Sequence, residues 1–274
     1  MQGRFHNQTF QVADQVISIG PTQPKFAIGQ RALLIKTPQG NILWDCITLL
    51  DEAIKAEIDK HGGISMIAIS HPHFYDTMVA WAEAFKCQVL IHQADAKWVM
   101  RTDSTAKGFL EFWSGNYKQL NDCIKLVRLG GHFAGSCILH SSAGKGFICT
   151  GDTIQVTPDK MVSFMYSYPN LIPLPVDAVR RMAAVVKNLQ FEAIYGMLES
   201  SVVHTLGNQT VQQSAKRYTS ALEGVSSFPF WLWPCLPLCM MDPSTDVSLG
   251  GFLGRGTPGP SNVTLPVAPP PQPV

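Results

Sequence analysis

Three histidines and one aspartate stand where predicted strands give way to loops: His71, His73, His132 and Asp152. The ends of strands are where layered α/β proteins gather their binding groups. His71 and His73 are two apart, so on an extended segment they share a face and can grip one ion together. Pro72 stiffens the segment between them. Gly130-Gly-His132 holds a third imidazole in a turn that paired glycines permit. Gly151-Asp152 ends another strand and offers a carboxylate that can ligate a metal. Three histidines and a carboxylate suit a hydrolytic zinc site with an open position, and they suit iron or manganese as well. Such an ion lowers the pKa of bound water to about 7, and the hydroxide so formed attacks a carbonyl. Asp76 is the candidate general base and Tyr75 the candidate donor to the oxyanion or leaving group. Both also fit a helix start, where an aspartate is favoured by the dipole.

The elements around these residues alternate. Residues 32–37 and 42–46 read as a hairpin with a glycine-containing turn. Residues 50–61 have helical spacing and stop at Gly62-Gly63. Residues 64–70 form a buried strand running into His71, followed by a helix over 75–85 and a strand over 87–92. Strands fit 123–129, 137–140, 146–150 and 191–195, and helices fit 176–189 and 208–223. Trp81, Phe85 and Trp98 fall at spacings expected of core-facing positions, whereas Tyr166 and Tyr168 rim a pocket or cover an apolar edge. His92 and His140 end strands without joining the set. The pattern is that of a layered α/β domain.

Composition bounds the rest. The chain has 274 residues, 46% hydrophobic and 15% charged, with a formal net charge of +1. That balance gives no basic footprint for nucleic acid and rules out a disordered acidic chain. No apolar run reaches the roughly 18 residues of a membrane-spanning helix, and the first 30 residues lack the apolar block of a signal peptide, so the cytoplasm is the default location. The seven cysteines are odd in number and lack paired CxxC spacing, which disfavours a disulfide framework or zinc ribbon; Cys46, Cys87 and Cys149 read as buried thiols. Residues 225–274 hold most of the 19 prolines and few charges. They read as a Pro-rich, unfolded tail, with docking to a membrane surface or a proline-binding partner as the other reading.

The order His71-Pro-His73, then Gly130-Gly-His132-Phe, then Gly151-Asp152 resembles the metallo-β-lactamase-fold hydrolases. Together with Tyr168-Pro-Asn-Leu-Ile-Pro-Leu-Pro175 it resembles a branch of them marked by those motifs. The resemblance implies a four-layer αββα sandwich over residues 27–224, after a lead-in segment 1–26. It implies His71, His73, His132 and Asp152 as ligands, and Asp45 as a buttress of the site loops. The usual His-x-His-x-Asp-His motif is broken: Asp76 comes one residue late and no histidine follows it. The last histidine of the pattern is missing at Tyr195-Gly196-Met197, and His204 replaces it only if the chain folds back. One ion, two ions or none all stay open, with one divalent ion, most simply zinc, as the leading expectation. The function implied is a metal-dependent hydrolase of a small-molecule ester, thioester or amide. The other reading is a non-catalytic metal-binding or pseudoenzyme module of the same fold.

Overall fold

The computed structural model of the chain describes residues 4–225, so the expected Pro-rich tail beyond Val225 lies outside the described residues. The first half supplies β1 (His6–Ala13), β2 (Val16–Gln23), β3 (Ala32–Ile35), β4 (Ile42–Trp44), α1 (Glu52–Lys60), β5 (Met66–Ala68), α2 (Met78–Phe85), β6 (Gln88–His92), α3 (Ser104–Phe109) and β7 (Leu110–Trp113). Its seven strands lie side by side in chain order. The pairs from β1 to β4 are antiparallel and those from β4 to β7 parallel.

The second half supplies β8 (Tyr117–Gln119), β9 (Ile124–Arg128), β10 (Cys137–Ser141), β11 (Phe147–Cys149), two ribbons made of β12 (Gln155–Val156) with β13 (Val162–Ser163) and β14 (Met165–Ser167) with β15 (Ile172–Pro173), then α4 (Val176–Lys187), β16 (Ala193–Tyr195), β17 (Val202–Val203) and α5 (Gly207–Leu222). The second sheet runs β17-β16-β11-β10-β9-β8.

Three apolar cores separate four layers, and the two-residue period of the strands deals side chains between them. In β4, Leu43 joins the core that also takes Ile54 and Ile58 of α1 and Trp81 of α2. Its neighbours Ile42 and Trp44 face the other way, into a core shared with Leu139 and Cys149 of the second sheet. In β10, Ile138 turns outward to the core that holds Val179, Met182 and Val186 of α4. The order is therefore helix, sheet, sheet, helix, the αββα sandwich expected.

The first helix shows how local sequence enforces this. Asp51 caps α1 by accepting the Ile54 N–H at 2.9 Å, and Ile54 and Ile58, one turn apart, supply its buried face. Trp81 is fully buried in α2, and its Nε1 donates to the Ile47 carbonyl at 2.9 Å.

Two expectations change. Within the lead-in segment 1–26, His6–Ala13 and Val16–Gln23 are strands of the first sheet: β2 is buried along nearly its whole length and pairs with both β1 and β3. Burial of Val16, Ile17 and Ile19 contributes about 1.5–3 kcal/mol each, together comparable with the total stability of a domain, about 5–15 kcal/mol. The domain therefore takes in the chain from His6 on, rather than from residue 27. Trp98, expected in the core, is 46% exposed: it ends a short 3₁₀ helix over Gln93–Trp98 that follows β6, in which Asp95 is the buried residue.

Candidate metal centre

Strand β5 delivers the first donor. Three residues past Ala68, His71 has the extended backbone that a residue before proline prefers (φ −170°, ψ 170°). Pro72 then opens a 3₁₀ turn over Pro72–Phe74. His71 and His73 accordingly do not share one extended face; they meet because the turn presents different ring nitrogens, His71 Nε2 lying 3.1 Å from His73 Nδ1. His132 comes from the loop between β9 and β10, its Nε2 3.4 Å from His73 Nδ1. Asp152 follows β11, with Oδ2 3.5 Å from His71 Nε2, 3.5 Å from His73 Nδ1 and 3.7 Å from His132 Nε2. One donor atom from each of the four residues lies within 4.8 Å of all the others.

Five of the donor-to-donor distances, 3.1–3.7 Å, suit an ion. A tetrahedral centre with metal–nitrogen bonds of about 2.0–2.1 Å sets its donors about 3.3–3.4 Å apart. The other carboxylate oxygen, Asp152 Oδ1, is buried with no hydrogen-bond partner among the described residues, a lone pair held free at the site.

Hydrogen bonds behind the donors fix their tautomers. His71 Nδ1–H donates to Ser70 Oγ at 2.8 Å, Ser70 Oγ–H donates to Asp45 Oδ2 at 2.9 Å, and the Ser70 N–H donates to Asp45 Oδ1 at 2.7 Å. His132 Nδ1–H donates to the Met165 carbonyl at 3.2 Å. In both rings the Nε2 lone pair is thereby left facing the cluster, the arrangement that orients metal-ligating histidines. Tyr168 donates its hydroxyl to the Asp152 carbonyl at 2.9 Å, and the Gly135 N–H donates to buried Asp95 at 2.8 Å, tying down the loop that bears His132.

The electrostatics agree. Burial pushes His71 down to about 4, and burial lowers His132 as well, so both rings are neutral near pH 7. Burial alone would raise the Asp152 carboxyl, but the imidazoles of His71, His73 and His132 beside it hold it well below the usual carboxylate range. Burial raises Asp45 to about 8 against the two hydrogen bonds from Ser70. Neutral imidazoles around an ionised carboxylate are what a divalent ion needs.

Gly151 shows how tight the corner is. It sits at φ +53°, and a Cβ there would lie 2.5 Å from Ser70 Oγ and 3.3 Å from His71 Nδ1.

The remaining expected residues fall elsewhere. Tyr75 is turned into the first core, and burial raises its hydroxyl far above the usual phenol range, so it is no donor on the open side of the cluster. Asp76 is exposed and outside the four-donor group, as is His204. No second group of three or more such donors occurs among the described residues. A cavity of about 540 Å³ between the β2–β3 loop and residues 198–200, lined by Lys25, Ile28 and Glu199 among others, includes none of the donors. Ser70 and Met165, which contact the site, carry no signal in the sequence; Phe133 does, as the end of the Gly-Gly-His-Phe motif, and Tyr168 does, as a rim residue. Asp45 does buttress the site. Cys46, Cys87 and Cys149 are buried free thiols.

Two stacked sheets between helices, with the donors gathered along one edge, define the metallo-β-lactamase fold. DIM-1 metallo-β-lactamase superposes with a TM-score of 0.56 at 14% identity, covering 77% of this chain and 98% of its own. SMB-1, in complex with mercaptoacetic acid, gives 0.53 at 18%, covering 79% and 95%. A Cronobacter sakazakii metallo-β-lactamase HARLDQ motif mutant gives 0.52 at 17%, covering 81% and 97%. No protein-family model matches the chain. Within that fold the chain belongs to the family of the Bacillus subtilis (strain 168) protein named Uncharacterized protein YmaE, with which it is 46% identical over 225 residues, 81% of this chain and 80% of the relative.

Proposed function

We propose that the chain is a metal-dependent hydrolase of a small ester, thioester or amide, holding one divalent ion, most simply zinc, on His71, His73, His132 and Asp152. Bound there, the ion would supply Lewis acidity and a water of lowered pKa. The observation that carries the reading is the convergence of four donors from three separate strand ends on one point, at metal-ligand spacing. The protein's own part is to keep that point ready. Ser70 and the Met165 carbonyl hold the protons of His71 and His132 on the far side of each ring. Tyr168 anchors the Asp152 backbone. The side chain of His73 is 54% exposed, so its edge of the cluster opens to solvent and admits substrate. Asp76, exposed three residues further on, is the candidate to take a proton from water or pass it to the leaving group.

A non-catalytic metal-binding module is favoured by one observation. Four protein donors around one ion can close a site, and closed sites are structural ones. A screen of metal-loaded protein on p-nitrophenyl and thioester substrates separates the two. Turnover abolished by His132→Ala supports the hydrolase, whereas bound metal with no turnover on any member supports the module.

A further inference from the structure

Phe133 follows His132 directly and touches every imidazole of the cluster. Its ring stacks on His71 at 5.8 Å and meets His73 and His132 edge-on at 5.0 and 5.1 Å. Trp98 packs edge-on against Phe133 at 5.6 Å and stands 46% exposed. Met100, two residues on, is 89% exposed. A continuous apolar surface thus leads from the donor atoms out to solvent. Scattered exposed aromatics are ordinary; exposed aromatics in contact with a chemical site point to a ligand.

A second apolar flank adjoins His132. The β14–β15 ribbon is fastened to the cluster through the His132–Met165 hydrogen bond, and it exposes Tyr166, Leu171 and Ile172. Residues 129–139 and 161–176, which carry Phe133 and the ribbon, contain no Lys, Arg, Asp or Glu. The nearby cations are engaged, Lys97 over the Trp98 ring at 5.3 Å and Arg128 Nε donating to the Ala134 carbonyl at 2.8 Å.

We infer that the substrate's non-reacting part is an uncharged apolar group, an acyl chain or aryl ring, that lies along Phe133 and Trp98 while its carbonyl faces the four donors. This rests on the hydrolase reading of the site. Each methylene laid on that surface adds affinity, and an anionic substituent gains nothing there.

The test measures binding of n-alkyl hydroxamates, acetyl to octanoyl, to the zinc-loaded full chain by calorimetry. Octanohydroxamate should bind about 30-fold or more tightly than acetohydroxamate. Trp98→Ala should cut that ratio below about 5-fold and leave acetohydroxamate affinity and metal content unchanged; Trp98→Gln, with thermal unfolding measured beside it, guards against misfolding. Acetohydroxamate binding with no dependence on chain length, or a ratio untouched in both variants, overturns the apolar subsite alone. Failure of every hydroxamate to bind zinc-loaded protein overturns the open metal position and the subsite with it.

Discussion

Asp45 holds His71 without touching it. Ser70 stands between them, giving its hydroxyl proton to Asp45 at 2.9 Å and accepting the His71 Nδ1 proton at 2.8 Å. All three side chains are almost completely buried, so no water can replace a missing partner cheaply. The relay sets which nitrogen of His71 is free for a metal.

Ser70→Ala removes that relay and keeps the donors. The expected result is a loss of about 10–100-fold in zinc affinity by chelator competition, the scale on which partners behind metal ligands act. Unchanged affinity would mean that His71 is oriented by packing alone.

Gly151→Ala asks the corner to take a side chain at positive φ and within 2.5 Å of Ser70 Oγ. Strain of this kind costs about 1–3 kcal/mol, read as a lower midpoint in urea unfolding. Metal content should fall with it, because the displaced Ser70 no longer meets His71.

The pH dependence of the metal-free protein reports on His71. Its folded pKa, about 4, lies below the ordinary 6.5. Below pH 6.5 the unfolded chain takes a proton there that the folded chain refuses until about pH 4, so this contribution to stability is lost as pH falls through that window. Other groups titrate too, so the comparison is with His71→Gln. The parent's stability advantage should shrink by about 2 kcal/mol between pH 7 and pH 4.5, at roughly 1.4 kcal/mol per unit at most. A constant difference would place a protonated His71 in the fold.

Asp76→Asn should keep metal content at the parent level and lower kcat by about 100-fold or more if the residue handles the proton. His204→Ala should leave both unchanged, since His204 is exposed and outside the donor group.

The four donors were legible because histidines and a Gly-Asp at the ends of apolar strands add little to packing, and their order along the chain is a motif. Helices such as α1 were legible from the apolar spacing over residues 50–61 and the stop at Gly62-Gly63. What escaped depends on contacts distant in sequence. The partner of His132 is a backbone carbonyl 33 residues away, which leaves no trace in side-chain pattern. Tyr75 looked like a site residue because it follows His73, yet the 3₁₀ turn after Pro72 rotates it into the core. Strand β2 was hidden by Gly20-Pro21 in its middle and by the polar edge strand β1 beside it.

Every role proposed for the site depends on His71, His73, His132 and Asp152 holding one ion together. Metal content per chain, measured on protein purified without chelator beside a His71→Ala/His132→Ala double variant, decides the point. About one equivalent is expected in the parent and almost none in the variant. A folded parent without metal that also fails to take up added zinc, or a double variant that retains the parent's equivalent, would refute it.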